Sequence, residues 1–244
     1  MTKPNFTEII MVLDRSGSMS SVLHDTIGGF NSFLKEQKQC VGEARLTLVQ
    51  FDTIYEIVHD GRLIGDVPEL TEQTYIPRGM TALLDAVGRC INTVGDRLSK
   101  TPEHLRPSLV VFVILTDGEE NSSQEFKLEQ VRDMIKHQTE KYNWQFVFLG
   151  ADQSSFQAER LGVSANNTFT YASCDTADTH FKMSRGISGV RMSMTTSDPS
   201  QVYAYASNIG DFMKADDGTA DVEDLLRKVT KDAQDKEKTK DQPA

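Results

Sequence analysis

The segment IIMVLDRSGSMSS, residues 9–21, passes from an apolar run into an aspartate with serines at the next alternate positions. Asp14, Ser16 and Ser18 thus offer one carboxylate and two hydroxyls within a short turn, and Gly17 supplies the backbone freedom to bend them toward one point. Two further oxygen donors stand in similar places. Thr81, in PRGMTALLDAV, lies just before a helical stripe, and Asp117, in VILTDGEEN, ends a second apolar run. Hard divalent cations take oxygen ligands, and magnesium takes about six near ~2.1 Å. No histidine or cysteine is close in sequence, which disfavours zinc and copper. Two aspartates balance a doubly charged ion, whereas hydroxyls add no formal charge. If the carboxylates act partly through water, such an ion stays electrophilic and open to one more anionic oxygen, which an Asp or Glu of a partner protein would supply.

The elements that must position these groups follow from hydrophobic patterning. Residues 8–13, 46–51, 109–115 and 144–149 read as buried strands, several of them nearly unbroken apolar runs. A weaker strand over 55–63 follows a two-residue gap, so it is expected to be antiparallel and at an edge. Residues 168–171 offer one more. Leu23, Ile27, Phe30 and Leu34 form one helical stripe. Leu84, Val87, Ile91, Val94 and Leu98 form a second, and Leu128, Val131 and Ile135 a third. A further helix is expected over 176–194, weakened by Gly186 and Gly189. Alternating strands and helices imply an α/β, three-layer Rossmann-like sandwich with a mostly parallel central sheet and one antiparallel edge strand. In such sheets ligands bind beyond the carboxyl ends of the strands, where strand order reverses. Asp14, Ser16, Ser18, Thr81 and Asp117 are all expected on that rim.

At these residues the chain resembles von Willebrand factor A domains, which carry a metal-ion-dependent adhesion site. DRSGS matches the DxSxS motif of their first strand, and the threonine and aspartate of two later loops match Thr81 and Asp117. The resemblance covers residues 6–194 and leaves 195–244 as a charged C-terminal extension, with a short helix near 222–229 and a disordered end. It implies a Rossmann-like fold and a Mg2+ ion, or Mn2+ in its place, held by these five residues. It also implies binding rather than catalysis, the target being an acidic side chain of a protein partner. The chain looks most like stand-alone intracellular prokaryotic members of the tellurite-resistance-associated type. Some of those operate beside kinases, phosphatases or AAA+ ATPases.

Composition narrows the alternatives. The chain has 244 residues and a formal net charge of -10, which argues against a nucleic-acid partner. The cysteines Cys40, Cys90 and Cys174 form no CxxC, and reduced thiols in a cytoplasmic protein are expected. The N-terminal residues MTKPNFTEII lack a signal-peptide layout, and no apolar run reaches the ~20 residues that span a bilayer. Each site residue also has a plainer reading. Asp14, Ser16 and Thr81 could cap helices, and Asp117 could belong to an ordinary turn. Glu119, Glu120 and Asn121 read as a solvated loop, or as a rim of which one member tunes the ion or repels wrong partners, and Arg78 as a surface arginine or a rim contact for an acidic partner. A second function class is a Mg-dependent phosphohydrolase with Asp14 as nucleophile, Thr81 binding phosphate and Asp117 holding the metal. Against it, the position two residues after Asp14 holds Ser16 rather than a second aspartate.

Overall fold

The computed structural model describes residues 2–151, 155–171, 176–196 and 209–215, with residues 224, 227 and 231. The chain runs β1 (Lys3–Asp14), α1 (Leu23–Gln39), β2 (Glu43–Phe51), β3 (Tyr55–Leu63), α2 (Leu83–Lys100) and β4 (Pro107–Thr116). It continues with α3 (Leu128–Tyr142), β5 (Gln145–Ala151), α4 (Ser155–Leu161), β6 (Thr168–Tyr171), α5 (Thr176–Thr196) and α6 (Ile209–Ala215). The strands form one sheet in the order β3-β2-β1-β4-β5-β6. Only the β2–β3 pair is antiparallel. This is the expected α/β sandwich with its antiparallel edge. From β1 the sheet grows first toward β2 and then, beginning at β4, the other way, so the crevice lies between the carboxyl ends of β1 and β4.

Side chains alternate across the sheet, so each central strand feeds two cores. Ile9, Met11 and Leu13 of β1 face one way with Leu109, Val111, Val113 and Leu115 of β4, under α1, α5 and α6. Ile10 and Val12 face the other way with Val110, Phe112 and Ile114, under α2, α3 and α4. Strands buried on both faces explain the unbroken apolar runs. Among the described residues no helix is long and apolar enough to cross a membrane.

Several elements differ from the sequence-based expectation. β1 begins five residues earlier than the apolar run, because Lys3 pairs with Pro107 of β4 and Phe6 onward with β2 from Glu43. Helices α4 and α6 were not anticipated. α6 inserts Ile209, Phe212 and Met213 into the core beside Met183, Ile187 and Val190 of α5. The two α5 glycines make that approach possible: a methyl at Gly189 would lie 2.6 Å from the Phe212 ring, and one at Gly186 2.9 Å from Met213. The packed structure therefore runs past residue 194. Most of the charged extension expected over 195–244, and most of the helix expected at 222–229 within it, lie outside the described residues. Asp224 and Arg227 are exposed and paired at 3.4 Å.

Candidate functional site

Three loops leave the carboxyl edge of the sheet and interlock. β1 ends at Asp14, whose main-chain carbonyl accepts a hydrogen bond from the buried Tyr75 hydroxyl. The Asp14 carboxylate folds the following turn: Oδ1 accepts from the Ser16 amide at 2.6 Å, and Oδ2 from the Thr116 hydroxyl at 2.5 Å. Ser16 Oγ and Ser18 Oγ lie 3.0 Å apart, and Ser18 Oγ donates to Asp117 Oδ1 at 2.6 Å. Gly118 marks the centre of the arrangement. A methyl group there would meet Thr81 Oγ1 at 2.8 Å, Ser18 Oγ at 3.3 Å and Ser16 Oγ at 3.6 Å. The five side chains from three distant stretches are thus gathered, and the bare glycine leaves a cradle between the hydroxyls.

The plainer capping role is not what the hydroxyls perform. Ser16 occupies the position before a short 3-10 turn, Gly17–Val22, but makes no side-chain cap bond. α2 begins after Ala82, so Thr81 stands one residue too early to cap it. That helix end is capped from the β4–α3 loop instead. Glu120 Oε2 accepts from the Leu84 amide at 2.9 Å, and Ser123 Oγ accepts from the Asp85 amide at 3.1 Å. Asp85 reciprocates by accepting from the amides of Gln124, Glu125 and Phe126.

Electrostatics set the chemistry. Asp14 is fully buried, and that burial pushes its carboxyl up to about 6, against the pull of the Thr116 and Ser16 hydrogen bonds; the Asp117 charge adds to the rise. Burial also raises Asp117, opposed by the Ser18 hydrogen bond. Among the described residues neither carboxylate has an ion-pair partner. The nearest guanidiniums are engaged elsewhere, Arg15 with Asp52 and Glu56, and Arg78 with Asp52. Two clustered carboxylates without a countercharge, lined by neutral hydroxyls, form an all-oxygen donor set for a hard cation. Among the described residues no cluster of three or more His, Cys, Asp or Glu side chains could hold a metal, and soft-ligand sites do not compete with this one.

The rim residues separate into two kinds. Glu119 is exposed. Glu120 is half-buried and its oxygens are occupied by the amides of Leu84, Ser122 and Ser123 and by the Ser123 hydroxyl. It holds the loop rather than lying free in solvent. Arg78, half-exposed, turns its Nε to Asp52 at 3.0 Å. Thr116 and Asp52 escaped the sequence reading, and Asn121, read with Glu119 and Glu120 as part of a solvated loop, instead bonds Thr81. Thr116 directly precedes Asp117 at a strand end, which was its only signal. Asn121 and Asp52 act through contacts between distant segments.

No protein-family model matches the sequence, and no curated protein matches it. Solved structures do resemble it. The vWF domain of the type V pili tip protein Mfa5 from Porphyromonas gingivalis superposes with a TM-score of 0.58 at 10% identity, over 81% of this chain and 98% of that one. Proximal thread matrix protein 1 from the mussel byssus gives 0.54 at 13% identity, over 73% and 47%. Von Willebrand factor type A from Catenulispora acidiphila gives 0.51 at 16% identity, over 75% and 42%. The chain spans less than half the length of the mussel and Catenulispora chains. A further structure of the mussel protein, at a TM-score of 0.53 and 14% identity over 73% of this chain and 47% of that one, has a zinc occupied MIDAS motif. The chain has the von Willebrand factor A fold.

Proposed function

We propose that the protein is a metal-dependent protein-binding module. Asp14, Ser16, Ser18, Thr81 and Asp117 would hold one divalent cation, Mg2+ with Mn2+ able to replace it. When bound, the ion would supply a Lewis-acidic position that captures a carboxylate oxygen. The partner is then a protein that presents Asp or Glu to the rim, with the exposed Glu119 to repel ill-fitting acidic surfaces. The observation that carries this reading is the gathering of three hydroxyls and two uncompensated carboxylates around the cradle at Gly118. The zinc occupied motif in the mussel structure supports a divalent ion at the corresponding place in the fold. The oxygen-only donor set favours the harder ions.

The resemblance to tellurite-resistance-associated members extends the proposal to a kinase, phosphatase or AAA+ ATPase as neighbour. Cys40 and Cys90 are free thiols, which supports a reducing compartment, the cytoplasm. The phosphohydrolase reading is disfavoured by the state of Asp14. Its side chain is wholly buried and both carboxylate oxygens already accept hydrogen bonds, a poor disposition for a nucleophile.

Isothermal titration of the metal-free protein with MgCl2 and MnCl2 tests the proposal. One site is expected, absent in the Ser16→Ala/Asp117→Ala double variant. Equal binding by that variant would overturn it. Turnover of a phosphomonoester that is lost in Asp14→Asn would replace it with the enzymatic reading. Capture of the partner from host lysate should require the metal and fail in chelator.

A further inference from the structure

We infer that Asp52 is a positioning residue of the site, locking the loop that carries Thr81 onto the DRSGS loop without itself contributing a ligand. The inference rests on the metal-site reading above. Asp52 follows β2 directly, and Phe51 is in register with Asp14 on β1. Its carboxylate is buried, with the residue 1% exposed, and serves four donors. Oδ2 accepts from Arg15 Nε at 2.9 Å and from Arg78 Nε at 3.0 Å. Oδ1 accepts from the Ile54 amide at 2.6 Å and from Thr53 Oγ1 at 3.3 Å.

The two guanidiniums come from the two loops that must meet. Arg15 sits between Asp14 and Ser16, and Arg78 sits three residues before Thr81. One carboxylate oxygen therefore joins them. Main-chain bonds run along the same seam: the Arg78 amide to the Arg15 carbonyl at 2.7 Å, Gly17 to Gly79 at 3.2 Å, and Ala82 to the Asp52 carbonyl at 3.3 Å. Gly79, with φ of +69°, packs so closely that a methyl there would lie 3.3 Å from the Asp52 Cβ. Arg15 is further held by Gln50 Oε1 at 3.3 Å and Glu56 Oε2 at 2.6 Å, so it is a fixed strut rather than a mobile side chain. Asp52→Asn removes the charge shared by Arg15, whose side chain is 6% exposed, and Arg78, and leaves one acceptor oxygen for the four donors. The seam then loosens where it sets the distance from Thr81 to Ser16 and Ser18. Outer partners of metal ligands act in this way, typically with about 10–100-fold effects on affinity.

The test uses the full chain with Asp52→Asn, Thr81→Ala, their combination and Arg78→Gln, titrated with Mg2+ and Mn2+. Asp52→Asn should raise the metal Kd about 10–100-fold. Because Asp52 acts through Thr81, adding Asp52→Asn to Thr81→Ala should change the Kd by less than about threefold. A full multiplicative effect, or an unchanged Kd in Asp52→Asn, overturns the inference. A second readout needs no metal. Amide exchange of the metal-free protein should accelerate about tenfold or more at Gly17, Arg78 and Ala82 in Asp52→Asn, with β4 amides unchanged. Unchanged exchange at those three, or acceleration throughout β4, overturns it. Should the wild-type protein bind no divalent ion, the function proposed above fails while the exchange measurement still decides the positioning role. If Asp52→Asn does not fold, Arg78→Gln decides: this half-exposed residue is one arm of the clamp and should give the same exchange pattern at smaller amplitude.

Discussion

Thr81 and Asn121 hold each other by two hydrogen bonds running in opposite directions. The Thr81 amide donates to Asn121 Oδ1 at 2.9 Å, and the Asn121 amide donates to the Thr81 carbonyl at 3.0 Å. Thr81 is thereby fixed to the Asp117 loop on one side, as the Asp52 seam fixes it to the DRSGS loop on the other. Asn121→Ala removes one of the two bonds and strands a buried amide. A stability loss of about 1 kcal/mol is expected in urea denaturation. Calorimetry should also show several-fold weaker metal binding. Asn121→Asp should lose less of both, because its carboxylate still accepts from the Thr81 amide.

Asp14 makes the metal-free protein sensitive to pH. Its folded-state carboxyl sits at about 6 against an ordinary 3.8, so the fold prefers the protonated form. The sign follows from linkage: the penalty is absent below about pH 4, grows as pH rises, and is complete above about pH 6, reaching about 3 kcal/mol. Asp14→Asn keeps acceptance from the Ser16 amide and can donate to Thr116 Oγ1. In chelator at pH 7 this variant should be more stable than wild type by up to about that amount. The difference should vanish near pH 4. Denaturation curves of both proteins between pH 4 and 7.5 measure it. A constant difference across that range would contradict the assigned cause.

Metal should relieve the same penalty. Mg2+ or Mn2+ at ~100-fold over Kd should stabilise the wild type by about 2.7 kcal/mol at pH 7. The gain should fade as pH drops below about 6, because a proton on Asp14 competes with the ion. Asp14→Asn should show almost none of it. Thermal shifts in matched buffers, with and without chelator, read this out.

Gly118→Ala should separate folding from binding. The added methyl points into the cradle, 2.8 Å from Thr81 Oγ1, and its three close neighbours there are side-chain hydroxyls rather than backbone. The thermal midpoint of the metal-free protein should move little, while metal affinity should fall tenfold or more, about 1.4 kcal/mol. Titration calorimetry beside a thermal melt tests both halves.

Glu120→Ala should be a stability variant. The Glu120 carboxylate accepts from the amides of Leu84, Ser122 and Ser123 and from the Ser123 hydroxyl, at the amino end of α2. Losing a charged acceptor at a helix start should cost about 2 kcal/mol in urea denaturation. Glu119→Ala, by contrast, should leave stability unchanged and raise the affinity for acidic peptides, read by titration calorimetry.

The sheet was legible because its central strands are buried on both faces, which leaves long apolar runs that few other structures produce. The bounds of β3 and β6 were read as they stand. The helices α1, α2 and α3 showed themselves by hydrophobic stripes, and α5 was expected from its segment despite Gly186 and Gly189. α4, with seven residues, has too few turns for a period to emerge. α6 carried its signal in Ile209, Phe212 and Met213, spaced at three and four, but the charge around it hid so short a stripe. Of the site, the oxygen-bearing residues were visible because their spacing follows the loops. Thr116, Asp52, the grip of Asn121 on Thr81 and the cap supplied by Glu120 were not, because each acts on a residue many positions away. Nothing local distinguishes a carboxylate that seals a helix end from one that faces water. Glu119 and Glu120 are neighbours of identical type with opposite fates.

The seating of α6 against the glycine face of α5 bears on how the protein can be shortened. Ending the chain at residue 194 would strip Met183, Ile187 and Val190 of their cover, leaving a greasy stripe beside two glycine notches. Such a fragment should self-associate on size-exclusion chromatography and give poor soluble yield, whereas one carried through Ala215 should elute as a well-behaved particle. Helix α6 is thus the plug that keeps this face of the molecule from seeking company.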